Sequence, residues 1–311
     1  MENSRICRCP SVGWRTRALA YGSIVTTDEW DRGIITKVER ALALRDELQA
    51  EQKRIRGGGE DIRKYSSTSN ERFREDETVW MKWWLTKSVP PIPPSFAALL
   101  GDLVQNLRAV LEYSAWATAS EDARATKPTQ ISFPLMDEKD EFEKWAARRA
   151  GWFNNDVVKV LEWAQPFHAD AKPDADDKQQ LHPLRVVRVL SNTDKHRLLN
   201  VVDHAHIEVG LDLDPMPPTY AWWTAKGPVA EGGLLAKLVF PRPPLSMAID
   251  VRPSFGWYES VAYEEPGKGI RWLRLDEMMN AVCEFTVQTA DYVAGARTSY
   301  KERDELPETG D

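Results

Sequence analysis

The chain has 311 residues, and its 41 Lys and Arg against 48 Asp and Glu give a formal net charge of −7. With 42% hydrophobic and 29% charged residues, this composition excludes disordered, collagen-like and uniformly basic nucleic-acid-binding proteins. The charge is uneven, because residues 1–100 sum to +3, residues 101–200 to −2 and residues 201–311 to −8. We therefore expect any site for a polyanion in the first two thirds of the chain.

Three cysteines, Cys7, Cys9 and Cys283, are too few for a disulfide framework in a chain of this length. No apolar run reaches the ~18 residues of a membrane span, and the first residues lack the pattern of a signal peptide. We expect a cytoplasmic protein that does not enter the membrane.

The first half of the chain predicts mainly helices. Residues 1–30 lack periodicity and read as a disordered extension. Apolar residues at helical spacing predict a helix over residues 31–56, and another follows over residues 96–120. Between them, residues 72–87 alternate, with Trp80, Lys82 and Trp84 on one side and Val79, Met81, Trp83 and Leu85 on the other. This alternation predicts strand structure.

The second half predicts three more helices before a strand-rich region. The helices cover residues 138–150, residues 154–165 with a cap at Asn154 or Asn155, and a segment that begins at Pro183 and continues past His196. Period-two patterns predict strands over residues 201–213, 219–225, 234–240, 245–252 and 255–263. A last amphipathic helix covers about residues 274–296.

This order of elements predicts an α+β fold, in which a helical core carries an added antiparallel sheet. The expected organisation is a helical core over residues 31–200 with a strand pair near 72–87, and an antiparallel β-rich region over 201–270. A C-terminal helix over 271–300 packs on the core, and a disordered tail occupies 301–311.

The helix around Arg108 carries polar residues beside its apolar arc. Arg108 and Glu112 are four residues apart and can pair on the helix surface. Asn106 and Tyr113 lie at the edge of the apolar arc, where a helix–helix seam and a pocket are expected. A solvated face with an ion pair is the alternative.

The helix after Pro183 contains a dense polar run, residues 191–197. Asp194 falls within the apolar arc, where a carboxylate is costly unless it is paired, and Asn192 and His196 share another face with Lys195 and Arg197 beside them. Such a break in pattern is typical of functional or strained sites. A His near an Asp and basic residues can move protons and hold a phosphate; the alternative is a structural network.

Two weaker features point to other chemistry. His204, His206 and Glu208 share a strand face and could bind a metal, although an exposed strand face explains them better. The tryptophan pairs Trp83-Trp84 and Trp222-Trp223 could stack on bases, although sheet packing is the default explanation. We predict no metal site and no cofactor.

Several segments resemble motifs of a family of uncharacterised bacterial proteins. The segment 101–113, GDLVQNLRAVLEY, resembles the family's GDxxHNLRSALDH; Phe133-Pro134-Leu135 resembles FP[IL]; Gln165-Pro166-Phe167 resembles QPY; and residues 191–199 resemble LSNxDKHRLL. The resemblance covers roughly residues 34–205.

The segment that begins at Arg108 is also similar to the Arg-x4–6-His motif of HEPN domains. Those are helical bundles, usually dimeric, and many are metal-independent ribonucleases of toxin–antitoxin and phage-defence systems, whereas others only bind RNA or nucleotides. Here Tyr113 stands in the place of the histidine, and Ala109 replaces the usual polar residue. Because Tyr has a pKa near 10, it is a poor general base at neutral pH.

We therefore expect a HEPN-like homodimer with a composite site for RNA or another phosphate-bearing ligand. His196, Arg108 and Tyr113 are the candidate catalytic residues of a metal-independent ribonuclease, if any activity remains. The candidate ligand-binding residues are Asn106, Asn192, Asp194, Lys195 and Arg197. The alternative is a non-catalytic structural or interaction module, associated with phage or defence systems, in which Asp194 and Arg108 form a buried network. A small-molecule enzyme, a third alternative, requires a deep apolar cavity beside His196.

Overall fold

The computed structural model describes residues 29–55, 64–69, 78–88, 91–171, 181–204, 211–225, 227–244, 248–255, 258–265 and 269–304. The helices are α1 (Glu29–Ile55), α2 (Pro94–Thr118), α3 (Glu121–Thr126), α4 (Lys139–Arg148), α5 (Asn155–Trp163), α6 (Pro183–Asp194) and α7 (Leu275–Asp304). The strands are β1 (Lys64–Ser69), β2 (Thr78–Lys87), β3 (Val201–His204), β4 (Leu211–Asp214), β5 (Ala221–Thr224), β6 (Leu234–Pro241), β7 (Asp250–Pro253), β8 (Tyr258–Glu265) and β9 (Gly269–Arg274). Short 3-10 turns cover Pro128–Gln130 and Pro166–Ala171.

The chain mixes helix and sheet, and it divides into two units. The first unit holds the described residues of Met1–Leu44, Gly101–Lys195 and Asn280–Asp311, and the second holds those of Arg45–Leu100 and His196–Met279. The described strands pair only in antiparallel fashion, as the sequence predicts. Within the described residues, no helix is both long and apolar enough to cross a membrane.

The first unit is a set of helices around two apolar clusters. The larger cluster joins Leu111 of α2 to Phe142 of α4 and Leu161 of α5. The smaller cluster joins Ile34 of α1 and Val110 of α2 to Ala290 of α7. Polar side chains cap the N-termini of two of these helices. Asn154 accepts from the Val157 amide at 2.7 Å, and Nδ1 of His182 accepts from the Leu184 amide at 3.2 Å. Such caps satisfy amides that have no partner inside the helix.

The second unit contains three antiparallel sheets. The largest has the strand order β1-β2-β6-β5, the next has the order β3-β8-β9, and β4 pairs with β7. Val79, Trp83 and Leu85 of β2 are buried in one apolar cluster with residues of β6 and β4. Alternate residues of β2 therefore face the core, and they form one of the two sides that the sequence pattern separates.

The structure differs from the prediction at several places, and strand β1 is one element that the sequence did not predict. The helix that begins at Pro183 ends at Asp194 and does not reach His196. The single strand predicted over 201–213 is two strands in different sheets, because β3 pairs with β8 whereas β4 pairs with β7. Strand β9 was not predicted, and α7 continues to Asp304, into the predicted tail.

The reason that α6 ends early lies in the composition of its last turn. Ser191, Asn192, Thr193 and Asp194 all have modest helix propensity, since their side chains compete for backbone partners. The Ser191 hydroxyl donates to the Arg188 carbonyl at 3.1 Å, and the Thr193 hydroxyl donates to the Val189 carbonyl at 2.9 Å. The polar run that we expected to be a site inside a helix is therefore the end of that helix.

Several predictions concern residues outside the described part of the chain. These are the disordered extension over 1–28, the cysteines Cys7 and Cys9, the strand residues 72–77, the His206 and Glu208 part of the possible metal site, and the end of the tail.

Candidate functional site

Arg108 and Glu112 form an ion pair on α2, and both side chains are half-buried. The pair also holds the backbone of Phe133 on both sides. Arg108 donates to the Phe133 carbonyl at 3.3 Å, and Glu112 accepts from the Phe133 amide at 2.9 Å. The spacing along the helix predicts the ion pair. The structure adds that both side chains bond to an extended segment of the same unit and do not simply face solvent.

Asn106 and Tyr113 both contact helix α1. The Lys37 ammonium donates to Oδ1 of Asn106 at 3.3 Å, and the Asn106 amide donates to the Asp102 carbonyl at 2.8 Å. The ring of Tyr113 lies so near Gly33 that a Cβ at this glycine would be 3.2 Å from the ring. Tyr113 belongs to the apolar cluster of α1, α2 and α7, so its ring fills a helix–helix seam.

Asp194 is half-buried at the end of α6, beside the start of the Gly101 region of α2. Its Oδ2 accepts from the Gln105 amide at 3.2 Å, and the same amide donates to the Ser191 carbonyl at 2.7 Å. A Cβ at Gly101 would lie 2.1 Å from Oδ1 of Asp194. A side chain at position 101 would therefore displace the Asp194 carboxylate. Asp194 has the hydrogen bond that its place in the apolar arc demands.

The remaining predicted residues lie at or beyond the end of α6 and are exposed. Asn192 is in the last turn, Lys195 follows the helix, and His196 and Arg197 come next in the second unit. Arg197 forms an ion pair with Glu264 at 2.5 Å. Cations that follow a helix end are favoured by the partial negative charge of the last carbonyls, and the same charge disfavours a phosphate there.

A buried network that the sequence did not reveal joins two arginines of α6 to Asp137. Arg185 has 6% of its side chain exposed and donates to Oδ1 of Asp137 at 2.7 Å, and Arg188 pairs with Oδ2 of the same carboxylate. Arg188 also donates to the Leu135 carbonyl at 3.0 Å. Burial by itself raises the pKa of Asp137, but hydrogen bonds and charge from Arg188 and Arg185 outweigh it and lower the pKa.

Gln165, which is fully buried, completes this arrangement. Its amide donates to the Pro134 carbonyl at 3.1 Å and to the Leu161 carbonyl at 2.6 Å, and its Oε1 accepts from the Met136 amide at 3.0 Å. We call residues 133–137 the clamped segment. It lies outside any helix or strand, and buried backbone groups without such partners are costly. Side chains of α2, α6 and residue 165 supply those partners.

A small cavity in the first unit lies among α1, α2 and α7. It is partly open to solvent, contains about 180 Å³ of empty space including that opening, and is lined by Ile34, Ala117, Ala290 and Val293 together with the Asp31–Arg297 ion pair. Sites for small-molecule ligands enclose about 300–1,000 Å³, so this space is too small for a substrate. In the described parts of the chain, no three His, Cys, Asp or Glu residues are grouped as metal ligands.

The predicted site residues therefore fall into separate groups. Arg108 holds the clamped segment, Asn106 and Tyr113 contact α1, and Asp194 bonds to Gln105. Among the described residues, Arg108 has no hydrogen bond or ion pair with Asp194. Comparisons of the chain with protein-family models, curated proteins and solved structures find no match.

Proposed function

We propose that this chain is a non-catalytic structural or interaction protein with a degenerate HEPN-like helical unit. One observation carries the proposal: Arg108, the arginine of the HEPN-like motif, is engaged with Glu112 and the Phe133 carbonyl. A catalytic arginine must instead be able to reach a phosphate as charge develops in the transition state. Tyr113, in the position of the motif histidine, packs in a helix seam.

The motifs that carry the resemblance support a structural role as a set. Phe133-Pro134-Leu135 forms the first three residues of the clamped segment, Gln165 bonds to that segment, and Asp194 of the last motif bonds to Gln105. Residues that supply hydrogen-bond partners to a buried irregular segment are restricted in residue type, as catalytic residues are, because each has a defined partner. We further propose a homodimer, from the resemblance, and a cytoplasmic location, from the low cysteine count. Light scattering after size exclusion tests the mass.

The test compares stability with RNA cleavage. Arg108→Ala removes the partner of the Phe133 carbonyl, and we expect a loss of about 1–2 kcal/mol, which lowers Tm by about 3–6 °C. Glu112→Gln keeps an acceptor for the Phe133 amide and should cost less. Lys144→Ala breaks an exposed ion pair with Asp140 on α4 and is the control, for which Tm should hardly change.

Purified wild-type protein and the His196→Ala variant are then incubated with mixed RNA in EDTA. We expect the same background cleavage from both. Metal-independent cleavage by the wild type would overturn the proposal if His196→Ala abolishes it at unchanged Tm, or if Arg108→Ala abolishes it at a temperature at which that variant is still folded.

A second candidate is binding of RNA or a phosphate ligand by the segment after α6. It is favoured by one observation, that the exposed side chains of Lys195 and His196 have no hydrogen bond or ion pair with described residues. It is the second candidate because the partial negative charge at the end of α6 disfavours a phosphate beside it. Loss of RNA binding in a Lys195→Gln, His196→Gln double variant, at unchanged Tm, would raise it to first place.

A further inference from the structure

One face of the four-stranded sheet in the second unit carries tryptophans and lysines. Residues that lie directly opposite each other on neighbouring antiparallel strands share a face. In the sheet, Thr68 lies opposite Lys82, Lys82 opposite Lys237, and Lys237 opposite Trp223. A single row thus crosses all four strands. Trp80 and Trp84 lie on the same face, two residues before and after Lys82. We call this set the outer face.

The structure separates each tryptophan pair of the sequence into one buried and one outer ring. Trp83, which is 2% exposed, contacts Trp222 edge-to-face at 5.5 Å between ring centroids, and both belong to the core side of the sheet. Their neighbours Trp84 and Trp223 point the other way, and Trp223 is 49% exposed. Sheet packing therefore explains only half of these four tryptophans, and the other half need another explanation.

Two rings of the outer face, those of Trp80 and Trp84, have contacts that hold them in place. The Trp84 indole N–H donates to the Thr68 hydroxyl at 3.2 Å across the strand pair. The Lys82 ammonium lies 4.8 Å from the centroid of the Trp80 ring. Trp80 and Trp84 are four residues apart on one strand, a separation of about 13 Å. Rings fixed in this way lose little conformational entropy when a planar partner stacks on them.

The charge of the outer face is positive. The four strands of the sheet contain four lysines and no Asp or Glu, so the acidity of the last third of the chain lies elsewhere. Lys82 and Lys237 are directly opposed, and like charges in that position are destabilising. Neither lysine has an ion pair with a described residue. An anion held between the two ammonium groups would relieve their repulsion.

We propose that the outer face binds a single-stranded nucleic acid, with bases stacked on Trp80, Trp84 and Trp223 and the phosphate backbone beside Lys82 and Lys237. Stacking rings interleaved with cations are the features with which proteins bind single strands without reading sequence. A purely apolar partner would leave the two lysines opposed and desolvated. A dimer that joins this face to the same face of a second copy would bring the lysines of both copies together, and their repulsion disfavours it. This assignment depends on the second unit alone, so it stands or fails independently of the proposal for Arg108.

The experiment measures fluorescence anisotropy of a labelled 12-nucleotide oligouridylate and of the matching oligothymidylate, with full-length protein at several salt concentrations. We expect both single strands, or one of them, to bind more tightly than a duplex of equal length. Trp223→Ala should weaken binding about tenfold, as expected for the loss of one stacked base. Trp223→Phe, which keeps a ring, should recover most of the affinity.

The lysines are tested through the salt dependence. Lys82→Gln with Lys237→Gln should reduce the slope of log affinity against log salt by about 1.4, since each phosphate contact of a single strand contributes about 0.7. Lys139→Gln with Lys159→Gln removes two exposed lysines from α4 and α5 of the first unit and is the matched control. That double variant should retain the wild-type slope.

Three results would overturn the proposal. The first is that neither oligonucleotide binds, and the second is that Trp223→Ala binds with wild-type affinity. The third is that the outer-face lysine variant and the control lysine variant reduce the salt slope equally. Self-association that depends on Trp223, seen by sedimentation without nucleic-acid binding, would assign the face to a protein contact instead. Binding without cleavage leaves the proposed function intact, and cleavage that depends on His196 overturns only that function.

Discussion

In the first unit, the polar side chains Arg108, Glu112 and Gln165 turn inward and bond to the backbone of the clamped segment. In the second unit, the outer face of the four-stranded sheet carries Lys82, Lys237 and Trp223. Neither lysine has an ion pair with a residue that the structure describes. The first group carries the motif resemblance, whereas the second carries none. A recognisable motif can therefore mark a structural requirement, and the surface best suited to a ligand can lie where no motif is visible.

The largest expected change in stability that tests this comparison is at a tryptophan of the second unit. Trp83→Ala removes a buried ring and should lower the free energy of unfolding by about 3–5 kcal/mol. Trp223→Ala should change it by less than about 0.5 kcal/mol, because that ring is half exposed. Urea denaturation measures both. Equal losses would show that Trp223 is part of the core, and the distinction between the two sides of the sheet would be wrong.

The next effect concerns the first unit and its pH dependence. Asp137→Asn should cost about 2 kcal/mol at pH 7, less than a fully buried pair, because 35% of its side chain is exposed. Since Arg188 and Arg185 lower the pKa of Asp137 in the folded protein despite its burial, the ionised form stabilises the fold. This contribution is complete above the unfolded value of about 3.9 and is lost as pH falls through the lower folded value.

The difference between wild type and Asp137→Asn should therefore shrink below about pH 4. Denaturation midpoints at pH 7, 5, 4 and 3 measure it. Asp140→Asn, which removes an exposed carboxylate paired with Lys144, is the control and should leave the midpoint nearly unchanged at pH 7. A difference that stays constant with pH would contradict the role of the Asp137 carboxylate.

A smaller effect couples Gly101 to Asp194. Gly101→Ala should destabilise by about 1 kcal/mol, because the new methyl group displaces the Asp194 carboxylate from Gln105. In an Asp194→Ala background the same substitution should stabilise by up to about 1 kcal/mol through helix propensity. A double-mutant cycle from thermal melts measures the coupling. If the effect of Gly101→Ala has the same sign in both backgrounds, the close approach does not require glycine.

The smallest expected effect is a gain in stability. Lys237→Glu replaces the like-charged pair with an opposite-charged one and should stabilise by about 0.2–1 kcal/mol. The same variant should bind oligouridylate much more weakly than the wild type. A variant that is more stable and still binds with wild-type affinity would separate the lysine pair from ligand binding.

Local patterns predicted most of the secondary structure. The alternation in β2 correctly assigned Trp83 to one side and Trp80 and Trp84 to the other, because side-chain direction in a strand has a period of two. The cap at Asn154 was also correct. The end of α6 was not predicted, since Leu198 lies at helical spacing from Leu190 and conceals the weak helix propensity of residues 191–194.

The candidate site was less predictable, because its partners are distant in sequence. The ion pair of Arg108 and Glu112 follows from a spacing of four residues, but their bonds to Phe133 span 21 residues or more. Asp137 was missed for the same reason, because its partners Arg185 and Arg188 are 48 and 51 residues away in sequence. The row across the outer face also required the strand order, since β2 and β6 are far apart in the chain.

Strand β1 has a consequence for the motions of the second unit. All six of its side chains are exposed, and it lies at the edge of its sheet with β2 as its neighbour. Tyr65, which contacts Phe255 edge-to-face at 4.9 Å between centroids, gives it an apolar anchor. A strand that buries so little opens at a small fraction of the global unfolding free energy. Its amide protons should therefore exchange with deuterium well before those of β2 and β6, while the tryptophan core stays closed.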